Sequence, residues 1–178
     1  MSRQTQVVVL CEDRQGEVFA RTFLVKCGFM VGRIRFLVSP IGIGSGEKYV
    51  RDQYPRQVIA YRSNRNRIQN SLVVMIDADV IPVSGRMKYL EDKLQEAGQN
   101  PRRQDEAIGI FISKRNIETW IRFFMGQHVD EDTDYGHFHK ESMCKPYIEK
   151  YAENRKQALP DNAPEALKLA CIELARII

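Results

Sequence analysis

The chain has 178 residues, of which 43% are hydrophobic and 28% charged. That is ordinary globular composition, and it excludes a disordered chain, a collagen-like repeat and a coiled coil. Lys and Arg outnumber Asp and Glu by 27 to 23, a net charge of +4, which permits a polyanionic partner without requiring one. No apolar run is long enough for a membrane span, and the polar start followed by a short VVVLC run does not read as a secretory leader. Cys11, Cys27, Cys144 and Cys171 lack CxxC spacing. The expectation is free thiols in a reducing cytoplasm.

Residues 5–11 (TQVVVLC) form an apolar run that suits a buried parallel strand. A helical pattern over 16–27 follows and stops at Gly28. Residues 33–38 give a second strand. The loop SPIGIGSG then leads into a helical pattern interrupted at Pro55. Residues 71–76 (SLVVMI) form the clearest strand. Residues 84–98 form a helix with Ser84 as N-cap and Gly98 beyond its end. Residues 107–112 (AIGIFI) predict a fourth strand, and 116–125 a fourth helix whose Trp120, Phe123 and Phe124 read as core.

Alternating strands and helices predict an α/β fold: a Rossmann-like, mostly parallel four-stranded sheet flanked by helices. Residues 1–126 form this core. Residues 127–178 read as an acidic loop plus C-terminal helices, around 144–158 and 164–178, packed on that core.

Ligands of such sheets bind at the carboxyl ends of the strands. The first strand ends in Cys11-Glu12-Asp13, the third in Asp77-Ala78-Asp79 and the fourth in Ser113-Lys114-Arg115. Asp77 and Asp79 are two apart, so extended backbone would put both carboxylates on one face. Two such carboxylates repel unless a cation compensates, and Mg²⁺ or Mn²⁺ is the natural compensator. Glu12 would be a third ligand or a general acid/base. Without the metal, the Asp residues would simply end a strand and cap a turn.

A glutamate closing the first strand and a DxD closing the third resemble the Toprim domain. That domain occurs in type IA and II topoisomerases, bacterial primases, recombination-repair proteins and nucleases of the OLD (overcoming lysogenization defect) family. The stretches VVVLCEDRQGEVFARTFL and SLVVMIDADV, within 6–24 and 71–80, carry the resemblance, inside a topology match over roughly 5–113. It implies Glu12 as acid/base, Asp77 and Asp79 as metal ligands, and Glu17 or Glu118 as ligands of a second ion. Glu118 lies in IGIFISKRNIETWI, which also looks like small Toprim-like proteins. The chain departs from the pattern at Asp13, where many Toprim proteins have Gly, and in a Glu12-to-Glu17 spacing one residue longer.

Further signals surround this set. Gly42, Gly44 and Gly46 precede a helix, where backbone N–H groups can cradle a phosphate. A plain flexible loop explains them equally well. Arg51, Arg56, Arg62, Arg65 and Arg67 stand against one acid, Asp52, and interleave with tyrosines. They are candidate nucleic-acid contacts on the catalytic side, or a solvated basic face. Lys114 could neutralise a phosphate in the transition state. His128, His137, His139 and Cys144 lack a zinc signature and read as mostly surface histidines.

The expected function is Mg²⁺-dependent phosphodiester chemistry on DNA or RNA, nuclease-like, within a defence or repair module. By analogy a separately encoded ATPase would be a partner. The alternatives are a non-catalytic metal- and nucleic-acid-binding subunit of an ATPase-containing complex, and a nucleotide-sugar glycosyltransferase, whose DxD VVMIDADV also resembles. Oligomeric state is not readable.

Overall fold

The computed structural model describes residues 4–42 and 44–178. Its strands are β1 (Gln6–Cys11), β2 (Ile34–Val38), β3 (Asn70–Asp77) and β4 (Ile108–Ser113). They form one parallel sheet in the order β2-β1-β3-β4. The helices are α1 (Arg14–Lys26), α2 (Gly46–Asn64), α3 (Val83–Glu96), α4 (Ile117–Phe124), α5 (Lys145–Asn154) and α6 (Glu165–Leu174).

Strand alternation divides the core in two. Val7, Val9, Cys11, Val73 and Met75 pack with α1, α4, α5 and α6 on one face. Leu10, Leu72, Val74 and Ile76 pack with α2 and α3 on the other. The C-terminal segment is therefore part of the first layer: α5 lies on α1, and α6 lies on β4. Among the described residues no helix is long and apolar enough to cross a membrane.

β2 lies on one side of β1 and β3 on the other. The strand order reverses between β1 and β3, so the crevice at their carboxyl ends is the topological switch point where such sheets bind ligands. Glu12 and Asp77 sit there.

β4 is an edge strand, and its open side is closed by side chains. Arg102 Nη1 donates to the Ile108 carbonyl (2.8 Å), and Glu173 accepts from the Ile110 N–H (2.9 Å). These bonds blunt an edge that could otherwise template pairing with another chain.

Local chemistry explains where the elements differ from expectation. α1 starts at Arg14 because Asp13 is its N-cap, accepting from the Gly16 N–H at 2.8 Å. That gives the Asp13 side chain a structural role. α2 is not interrupted at Pro55 but runs through it. Pro55 is buried beside Val50, Tyr54, Val58 and Tyr61, and that packing outweighs one lost backbone bond. Ser84 is not the cap of α3. The helix starts at Val83, with Pro82 at the N-cap position and no side-chain cap bond. Gly28 and Gly98 do end their helices, with φ of 96° and 68°, a conformation that favours glycine.

Candidate metal and phosphate site

Parallel pairing of β1 with β3 aligns Cys11 with Met75 and brings Glu12 beside the end of β3. Glu12 Oε1 accepts a hydrogen bond from the Asp77 N–H at 2.6 Å. On the other side Asp77 pairs with Ser113 of β4, whose Oγ donates to Asp77 Oδ1. Thus three adjacent strands supply one contiguous set: Glu12, Asp77 and Ser113.

These carboxylates are held in the wrong environment for charge. Burial pushes the Glu12 carboxyl up to about 7, with Asp79 and Asp13 adding repulsion, while the Asp77 N–H and Arg86 pull it back. Burial also raises the Asp77 carboxyl well above its ordinary value, and the Glu12 charge raises it further. Two buried carboxylates that repel each other, only partly offset by Arg86, invite a proton or a cation.

Asp79 does not share a face with Asp77, as extended backbone would have required. β3 ends at Asp77, and Asp79 has φ 56° inside a turn closed by the Ile81 N–H to the Ala78 carbonyl at 3.1 Å. Asp tolerates this left-handed conformation better than most residues. Its exposed side chain lies 3.3 Å from Arg86.

Arg86 was not singled out from sequence. It is 6% exposed, and it ties Asp79 and the Ala78 carbonyl to Glu47 in the first turn of α2. No spacing rule marks it; only the fold brings α3 against the start of α2.

That start reaches the carboxylates. A Cβ on Gly46 would stand 2.8 Å from both Cβ and the carbonyl oxygen of Glu12. The first turn of α2 is thus pressed against Glu12. Gly42 and Gly44 precede it with φ of 81° and 69°, and the residue between them lies outside the described set. Helix N-terminus and carboxylates together offer N–H donors for a phosphate beside oxygens for a cation.

The other expected ligands are engaged elsewhere. The Glu17 carboxylate takes hydrogen bonds from Arg14 (2.5 Å) and Arg21 (2.7 Å). Burial pushes it up, but those bonds outweigh this and hold it below its ordinary value. Glu118 is turned onto His137, 2.8 Å from its Nδ1. Lys114 stands at the site edge, 3.9 Å from Asp132. Among the described residues no group of three or more His, Cys, Asp and Glu side chains stands close enough to hold a metal ion. Cys144 is buried, with Gln15 Nε2 3.2 Å from its Sγ.

The arginines do not lie together on this side. Arg51, 3.4 Å from Glu47, is near it. α2 runs away from Glu12, and sixteen residues at ~1.5 Å each put Arg62 roughly 24 Å along the helix from Gly46. There Arg62 holds Glu106 (2.7 Å), and Arg65 holds Asp105 (2.9 Å), both just before β4. Arg56 and Arg67 are exposed.

The donor set suits a hard divalent ion. Mg²⁺ needs one or two protein carboxylates and fills the rest with water or phosphate oxygens, and Glu12 with Asp77 are two carboxylates whose raised values a cation would reverse. Comparison of the chain with protein-family models, with curated proteins and with solved structures finds no match.

Proposed function

We propose that this protein carries out Mg²⁺- or Mn²⁺-dependent phosphodiester chemistry on nucleic acid, nuclease-like, at the carboxyl edge of β1 and β3. The observation that supports this most is the hydrogen bond from the Asp77 N–H to Glu12 Oε1. It fixes the Glu12 carboxylate against the backbone of Asp77, so the two residues that a Toprim-like reading needs meet where the sheet topology makes a crevice.

The ion would sit on Glu12 and Asp77 and would supply Lewis acidity at a phosphate oxygen. The first turn of α2 would contribute backbone N–H groups and the positive end of its dipole to the substrate phosphate. Arg86 holds the Asp79 turn and the start of α2 in one geometry. Glu12 and Asp77 belong to the pair in every role, since neither can ionise freely beside the other. A nucleotide-sugar transferase has no use for Glu12 in this position.

A second reading is a metal- and nucleic-acid-binding subunit of a larger, ATPase-containing complex. It is favoured by Ile41 and Val80, 103% and 81% exposed on the two loops that flank the site. A partner that covers this edge would bury both.

The test is cleavage of plasmid, linear and single-stranded DNA and of RNA with Mg²⁺ or Mn²⁺ against EDTA, with Asp77→Asn beside wild type. Metal-dependent cleavage lost in the variant supports the enzyme. Metal binding without cleavage of any substrate moves the reading to the subunit.

A further inference from the structure

Trp120 is 2% exposed, and its ring packs against Phe19 with 6.2 Å between centroids. The ring is core, but it also carries a donor. Trp120 Nε1 is buried and has no hydrogen-bond partner among the described residues. A buried indole N–H without an acceptor is costly, and folded proteins give such groups a protein or water partner.

Trp120 lines two small cavities. One, of about 40 Å³, has aromatic and aliphatic walls, and its two polar side chains, Tyr151 and Cys171, are bonded to each other at 3.2 Å. The other, of about 20 Å³, is shared with Glu12, Asp77 and Ser113. A volume of that size holds about one water, and a buried water makes about three hydrogen bonds to polar neighbours. The second cavity can supply them. Ser113 Oγ already donates to Asp77 Oδ1, and the Asp77 N–H to Glu12 Oε1. Asp77 Oδ2 and Glu12 Oε2 take no hydrogen bond among the described residues.

We propose that this cavity is a water site and that Trp120 is a positioning residue of the carboxylate pair. The water accepts from the Trp120 Nε1–H and donates its two protons to the Asp77 and Glu12 carboxylates. Each group then finds what it lacks: the indole gains an acceptor, and two carboxylates that repel gain donors between them. An oxygen held by the water cannot swing toward solvent, so the pair meets an ion in one geometry. Groups that orient metal ligands in this way are worth roughly 10–100-fold in metal affinity. The role toward the ion rests on the function proposed above; the hydrogen bond to the water does not.

The chain has one tryptophan, so ¹⁵N-labelled protein gives a single indole N–H resonance. It is followed by NMR in wild type and Asp77→Asn, and in wild type with Mg²⁺. Mn²⁺ affinity is measured by calorimetry in wild type and Trp120→Phe, each variant being checked by thermal unfolding. The wild-type indole proton shows a through-space contact to a long-lived water, and its resonance moves in Asp77→Asn, where an amide replaces the carboxylate. Mg²⁺ shifts it with the midpoint of ion binding. Trp120→Phe keeps an aromatic ring, loses the donor and weakens Mn²⁺ binding by about 10-fold. An indole proton without a water contact, or one that ignores Asp77→Asn, overturns the hydrogen bond. A folded Trp120→Phe that binds Mn²⁺ like wild type overturns the positioning role. If that variant does not fold, an indole resonance unmoved by Mg²⁺ while calorimetry sees the ion bind overturns that role instead. A water contact in a wild-type chain that binds no ion overturns the function proposed above and leaves the hydrogen bond standing.

Discussion

The two ends of the sheet handle charge in opposite ways. At the amino end of β4, Glu106 and Asp105 have their bases. Glu106 is 2% exposed and is held by Arg62, Arg65 and the Arg103 N–H, and Asp105 by Arg65 and Arg103. Burial pushes the Glu106 carboxyl up, but the hydrogen bonds from Arg62 and Arg103 outweigh it and keep it low. At the carboxyl ends, Glu12, Asp77, Asp79 and Asp13 crowd together and two of them are pushed up. The first end is built for stability. The second tolerates repulsion that a folded protein has no structural reason to keep, which is how functional sites differ from structural ion pairs.

The sharpest way to break this contrast is to neutralise one acid at each end. Asp77→Asn should lower metal-dependent cleavage by more than about 100-fold, since even groups that only orient metal ligands are worth roughly 10–100-fold. It should also raise the thermal midpoint at neutral pH. The sign follows from linkage: a carboxyl raised by folding favours the protonated fold, so its charge costs stability once pH exceeds the unfolded value near ~4. Glu106→Gln should do the reverse, costing about 3 kcal/mol in chemical denaturation and leaving chemistry intact. Glu106 is held low, so its stabilisation is present above ~4.3 and is lost as pH falls through the folded value. The wild-type acid limb should flatten in the variant.

Gly46→Ala comes next in size. Its Cβ would meet Glu12 at 2.8 Å, which should cost about 1–3 kcal/mol as overpacking and shift the start of α2. Unfolding midpoints and cleavage rates should fall together. The smallest effect is spectroscopic. The hydrogen bond to Glu118 raises His137 above the ordinary 6.5. Its contribution to stability is therefore present below 6.5 and is lost as pH rises through the folded value. NMR titration of the ring should place it above 6.5, and Glu118→Gln should bring it down.

Much of this was legible in the chain. The β1 run VVVLC and the β3 run SLVVMI are buried on both faces of the sheet, so each announces itself as an apolar run. Strand ends then locate Glu12 and Asp77 without any knowledge of side-chain geometry. Three things were not legible. Asp79 leaves the face of Asp77 because the turn after β3 demands a left-handed residue, which alternation along a strand does not reveal. The arginines of 51–67 are close in sequence, but a continuous α2 carries Arg62 and Arg65 to the far edge of the sheet. His137 lies in a loop without periodicity, and its partner Glu118 is 19 residues away, a pairing set only by how the acidic loop folds back on α4.

The most direct test of the account is calorimetric titration of Mn²⁺ into the wild-type chain, Asp77→Asn and Glu106→Gln. The account predicts that wild type and Glu106→Gln bind the ion alike and that Asp77→Asn does not. Equal binding by all three, or none by wild type, would contradict a cation site at the carboxyl ends of β1 and β3.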